Sequence, residues 1–171
     1  IHGGMGFVEE TGAAQHYRHA RIAPIYEGTN GIQAADLVGR KLTGDGGAGM
    51  ATLIADVRAE AEDARLIALT HLVEKLTAHL LEVDVDDRLA ASYPYLTMVS
   101  VMTCGWLMER QARIATALLA KGEGDPAFLK QKQVTAHYYL THLVGEALGL
   151  AGSVTAGAEG LYDLSAEDLA A

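Results

Sequence analysis

The chain has 171 residues, with 13 Lys and Arg against 22 Asp and Glu, a formal net charge of −9, and a single cysteine, Cys104. An acidic surface repels nucleic acid and anionic lipid, and one cysteine excludes an internal disulfide framework, so a reducing, cytoplasmic setting is expected. Half the residues are hydrophobic, yet no run approaches the roughly 18 apolar residues of a membrane span, and no basic-then-apolar leader opens the chain.

Charge is unevenly placed. Residues 1–42 balance four basic with four acidic groups, and residues 43–171 carry the whole imbalance. In chain order, His2-Gly3-Gly4-Met5-Gly6-Phe7 predicts a turn, followed by a helix over about Glu9–Arg18. Pro24 ends that segment or begins an extended one. Thr29 or Asn30 is a natural N-cap for the next helix, because either side-chain oxygen can accept an orphan backbone N–H. Ile32, Ala35, Val38 and Leu42 recur at three- and four-residue intervals as one apolar stripe. Arg40 and Lys41 fall in the last turn, where they complement the helix dipole, and Gly44 stops the helix.

Four glycines in the seven residues 43–49 read as a linker. The expected organisation is therefore an arm, 1–43, a linker, 44–49, and a helical domain, 50–171. In that domain, Met50, Leu53, Ile54, Val57, Ala61, Ala64 and Ile67 run on to Leu80, predicting one helix of about thirty residues. A second helix fits Leu89–Lys121, with Pro94 near its start. Gly122-Glu123-Gly124-Asp125-Pro126 breaks it. A third spans Ala127–Ala151, with Leu129, Val134, His137, Tyr138, Leu140 and Val144 mostly inward, and a short tail helix is expected near Ser165–Leu169. No alternating run survives, so the fold class is all-α, an antiparallel helical bundle.

The chemistry concentrates in Ile25-Tyr26-Glu27-Gly28-Thr29-Asn30-Gly31-Ile32-Gln33. A carboxylate just before a helix N-terminus is favoured as the anion, whereas an apolar slot would raise its pKa, and a base between those effects suits removal of a proton next to a carbonyl. Gly28 would let a substrate approach the backbone. The plain alternative for Glu27 is a solvent-facing partner of the helix dipole. The Gly3-Gly4-Met5-Gly6 turn can cradle a phosphate on its N–H groups or serve only as a helix entry, and its spacing is not that of a dinucleotide fingerprint. His2, His16 and His19 lack the partners a metal site needs, so no metal is expected. His71, His79, His137 and His142 read as core-edge residues, Cys104 as a packing residue, and Tyr93, Tyr95, Tyr138 and Tyr139 as core or interface.

Together, Ile1-His2-Gly3-Gly4-Met5-Gly6-Phe7, Arg21-Ile22, the segment Ile25–Gln33 and Gly39-Arg40-Lys41-Leu42 resemble the last helices of the acyl-CoA dehydrogenases, four motifs in the family's order over about the first 42 residues. Tyr95-Leu96, Gly105-Trp106-Leu107, the segment Lys130–Tyr138 and Val154-Thr155-Ala156-Gly157 resemble, more loosely, the extra C-terminal helical domain of a longer subgroup, the 3-methylmercaptopropionyl-CoA dehydrogenase-like enzymes. The resemblance implies an FAD-dependent oxidation of an acyl-CoA thioester, with Glu27 as the α-proton base and Gly28 against the substrate. It implies Thr29, Asn30 and Gly31 near the flavin, the Gly3-Gly4 turn against the FAD of a neighbouring subunit, a homo-oligomer and an electron-transfer acceptor. The family usually has Asp where this chain has His19, a change expected to alter a local ion pair.

On this reading the sequence is a C-terminal fragment of such an enzyme, expected to retain no FAD and to be inactive alone, because the regions covering flavin and thioester are absent from it. The alternative is a non-catalytic helical oligomerisation or interaction module. A third reading is a relative that binds acyl-CoA without oxidising it.

Overall fold

A computed structural model describes residues 2–26 and 29–170. Every regular element among them is helical, as expected, and no helix there is long and apolar enough to cross a membrane. The chain divides into two compact units, Ile1–Gln33 and Ala34–Ala171.

In the first unit, single 3-10 turns at Gly3–Gly6 and Glu9–Thr11 precede α1, Ala13–Tyr26. The helix expected over Glu9–Arg18 is thus interrupted at Gly12, which takes a left-handed φ of 73°. The helix also runs through Pro24, which was expected to end it. Pro24 lies in the final turn, where few further backbone bonds depend on the one that proline cannot make.

Helix α2, Asn30–Asp36, passes through a π-helical turn at Leu37–Lys41 into the short α3, Leu42–Gly44. The buried residues here are Ala34, Val38 and Leu42, at two four-residue steps. Eight residues of ideal α-helix would turn Leu42 about 80° away from Ala34. The extra residue of a π turn brings it back to the same side. The expected stripe therefore holds at Val38 and Leu42 and fails at Ile32, which is exposed.

The remaining elements are α4 Ala48–Glu60, α5 Ala64–Glu82, α6 Val85–Ala90, α7 Ser92–Lys121 and α8 Pro126–Tyr138. A second π turn, Tyr139–Leu143, leads into α9 Val144–Leu148, then α10 Ala151–Thr155 and a 3-10 turn, Asp168–Ala170. The second π turn again accompanies buried residues four apart, Ala136, Leu140 and Val144. That register leaves Val134, His137 and Tyr138, expected inward, exposed.

Helix α5 is the centre of the second unit. Its buried residues Leu66, Leu69, Thr70, Val73, Leu76, Thr77 and Leu80 keep a seven-residue repeat. Around them pack Ile54 and Val57 of α4, Tyr95, Met98 and Met102 of α7, and Val144 and Ala147 of α9. Gly105 permits the close approach of α7, since a Cβ there would lie 3.2 Å from Leu66 Cδ1 and 3.4 Å from Val144 Cγ2.

The helix breaks carry their own chemistry. Asp45 accepts from Gly47 N at 2.9 Å and Gly49 N at 2.8 Å, tying the turn that opens α4. The single helix expected from Met50 to Leu80 is two helices, because residues 61–63 leave the helical path. Asp63 caps α5 by accepting from Arg65 N and Leu66 N. Glu109 of α7 accepts from Glu62 N and from Asp63 N, the latter at 2.7 Å. The helix expected from Leu89 likewise begins at Ser92, after the separate α6, which Asp84 caps. Gly122, left-handed at φ 70°, ends α7, and Asp125 with Pro126 starts α8, as the breaker sequence predicts.

Candidate functional site

The first unit holds three of the four motifs, the one at 39–42 lying in the second, and local hydrogen bonds shape it. The Thr11 hydroxyl donates toward Met5 O at 2.9 Å and lies 3.1 Å from Val8 O, while accepting from Ala13 N at 3.3 Å. Arg18 on α1 reaches back to Glu9 with a two-pronged ion pair, 2.8 and 2.9 Å. The hydrogen bond and then the charge of Arg18 hold the Glu9 carboxyl below its ordinary range. Sequence reading missed this pair, because the nine-residue separation matches no helical spacing. His19, where the family usually has Asp, is exposed.

Beside the pair runs an open groove of about 480 Å³, lined by Gly6, Phe7, Val8, Ala14 and Tyr17. Gly3 takes a positive φ of 53°, and a Cβ at Gly3, Gly4 or Gly31 would meet nothing within 4 Å. Open glycine backbone of this kind leaves room for a ligand to approach N–H groups closely. Thr29 is exposed beside the start of α2, and Asn30 and Gly31 form its first turn. Glu27 and Gly28 lie outside the described residues.

The two glycine-bearing segments are not brought together along the chain. The turn containing Gly3 and Gly4 leads into the groove at the N-terminal half of α1, and Thr29–Gly31 follow its C-terminal end. A helix of 14 residues is about 21 Å long. One small ligand group does not span both ends.

In the second unit, Cys104 is exposed, not packed inside as expected. It lies beside the Tyr139 phenol, whose pKa is pushed up to about 12, first by burial and then by the neighbouring Cys104. His71, His137 and His142 are exposed rather than at the core edge, as are Tyr93 and Tyr138, whereas Tyr95 is fully buried against Thr77. The polar network at the α4–α5 break is structural in layout. Glu60 accepts from Trp106 Nε1, Arg110 and Arg113, and Arg110 also lies over the Trp106 ring at 4.4 Å. The arginine and indole hydrogen bonds hold Glu60 low.

Two family descriptions match the chain. Residues 1–43 match "Acyl-CoA dehydrogenase, C-terminal domain", and residues 46–165 match "Acetyl-CoA dehydrogenase C-terminal like". The chain is 40% identical to 3-methylmercaptopropionyl-CoA dehydrogenase of Ruegeria pomeroyi, over 85% of this chain and 27% of that protein. It is 33% identical to a butyryl-CoA dehydrogenase of Syntrophomonas wolfei, over 86% of this chain and 27% of that one. The human short-chain specific acyl-CoA dehydrogenase, mitochondrial, is 55% identical over 42 residues, 25% of this chain and 10% of that protein. The chain thus spans about a quarter of the length of the long relatives.

Proposed function

This chain belongs to the acyl-CoA dehydrogenase family, and on that premise we propose that it is the C-terminal part of an FAD-dependent enzyme that introduces a double bond next to an acyl-CoA thioester. The observation that carries the reading is the ordered motif set of residues 1–42, whose centre is Glu27. Glu27 takes the α-proton, and its position before α2 favours the carboxylate that this step requires. Gly28 lets the thioester lie close to the backbone. FAD, when bound, supplies the acceptor for the hydride that leaves the β-carbon. The open backbone at Gly3, Gly4 and Gly31 fits such a group. Thr29, Asn30 and Gly31 would hold one cofactor, and Gly3 and Gly4 that of a neighbouring copy, in keeping with their separation along α1. A cytoplasmic homo-oligomer that passes electrons to a separate acceptor completes the proposal.

The test is Glu27→Gln in the full-length enzyme. Turnover should fall by several orders of magnitude while flavin absorbance is retained; unchanged turnover would remove Glu27 from the role of base. The 171-residue chain alone should retain no flavin after desalting and should turn over no acyl-CoA.

A further inference from the structure

In the first unit the glycine turn is joined to α1 through a swivel. Gly12 stands between the 3-10 turn Glu9–Thr11 and α1 with a left-handed φ of 73°, and a Cβ placed there would meet nothing within 4 Å. A glycine with open space around it leaves both of its backbone angles free to turn. No apolar core restrains the joint, since Ala14 is the only buried residue among the described residues of this unit. The segment before it has a shape of its own. Phe7 N donates to Gly4 O at 3.2 Å, and the Thr11 hydroxyl donates toward Met5 O at 2.9 Å. Residues 3–11 are thus one piece, hinged at Gly12.

The angle of that piece against the helix is set by Glu9 and Arg18. Among the described residues, theirs is the one side-chain bond that joins residues 2–11 to α1 beyond its first residue, Ala13. Both side chains line the groove between the segment and the helix, so their bond fixes how wide it opens. Two parallel hydrogen bonds, Arg18 Nη1 to Glu9 Oε1 at 2.8 Å and Nη2 to Oε2 at 2.9 Å, hold an orientation as well as a distance. Both partners are more than half exposed, and an exposed ion pair adds little to stability. Its consequence lies in direction rather than in folding energy: the pair decides which way the open backbone at Gly3 and Gly4 is turned.

Resting on the reading that this turn meets the flavin of a neighbouring copy, we infer that Glu9 and Arg18 are positioning residues for cofactor binding. Neither needs to touch the cofactor; together they hold the glycine turn at the angle that the cofactor requires. Loss of the pair returns the segment to a spread of angles, of which only a fraction binds. An exposed ion pair biases such an equilibrium by roughly fivefold at most, so flavin affinity falls by about that factor while the fold is untouched.

Fluorescence titration of FAD into the flavin-free full-length enzyme tests this, beside a circular-dichroism melt of each flavin-free variant. Glu9→Gln and Arg18→Gln should each raise the flavin Kd roughly fivefold with the melt unchanged. Glu9→Arg combined with Arg18→Glu should restore the parent value by remaking the pair in reverse. Gly4→Ala, whose added Cβ meets nothing within 4 Å in this chain, separates the positioning role from the reading beneath it. If Gly4→Ala binds flavin as the parent does, the turn leaves the cofactor site and the positioning role goes with it. Weakened binding in Gly4→Ala beside unchanged binding in Glu9→Gln overturns the positioning role alone. So does a reversed pair that fails to restore binding, or a loss in Arg18→Gln that Glu9→Gln does not match, because Arg18 would then meet an anionic group of the cofactor directly. A melt that falls together with the affinity would make the pair a structural one and overturn the role as well.

Discussion

Glu109→Ala removes the carboxylate that stands in for helical bonding where α4 gives way to α5. Glu109 is 8% exposed, and its oxygens accept from Glu62 N at 3.2 Å and Asp63 N at 2.7 Å, bridging 46 to 47 residues of sequence. Two hydrogen bonds to a charged acceptor are worth about 1.5–3 kcal/mol each after exchange with water, and the lower value is taken because the contacts to Glu62 N are long at 3.2 Å. The net expectation is a loss of about 3 kcal/mol, or a fall in Tm of about 10 °C for a unit of this size. Glu109→Gln keeps one acceptor oxygen and loses the charge, so it should cost about 1 kcal/mol. Urea unfolding followed by circular dichroism measures both, with an unchanged m-value as the check on two-state behaviour. If Glu109→Ala stays within about 0.5 kcal/mol of the parent, close to the scatter of surface substitutions, the bridge has no energetic role. If Gln is as damaging as Ala, packing rather than the accepted hydrogen bonds is the cause.

Burial pushes the Tyr95 phenol up to about 12, opposed by its hydrogen bond with Thr77 at 2.7 Å, and Tyr139 is raised to about 12 as well. A folded pKa above the unfolded value of about 10 means that the folded chain holds the proton more tightly, so stability is full below pH 10 and declines as pH rises from about 10 to about 12. In an alkaline titration at 295 nm, two of the seven tyrosines should ionise last, and Tyr95→Phe should remove one of them; a single phase near pH 10 would contradict the burial. At the α3–α4 turn, Gly46 and Gly47 both take positive φ, but only at Gly47 would a Cβ crowd a neighbour, Leu81 Cδ1 at 3.0 Å. Gly46→Ala should cost about 1 kcal/mol for the backbone alone, and Gly47→Ala about 2–3 kcal/mol because the core must also shift. Thermal melts that reverse this order would refute the packing argument.

What could be read from the sequence depended on how local its cause is. The caps at Asp125 and Gly122 act within a few residues, and the expected break between α7 and α8 stands. The α4–α5 break was missed because Val57, Ala61, Ala64 and Ile67 keep helical spacing straight across it, while the group that satisfies the interrupted backbone, Glu109, arrives from another helix. The π turns left a visible trace that periodicity reading passed over. Ala34, Val38 and Leu42, and again Ala136, Leu140 and Val144, step by four twice. An ideal α-helix rotates such a pair of steps about 80° off its face, so a sustained spacing of four calls for one extra residue in the turn. The candidate site divides in the same way. Among the described residues of the first unit only Ala14 is buried, so its shape comes from the Thr11 hydroxyl, the Glu9–Arg18 pair and the turn at Gly12 rather than from a core. Bonds that short in sequence keep a motif legible as a string of residues. They do not bring Gly3 and Gly4 to Thr29–Gly31, since α1 lies between the two segments.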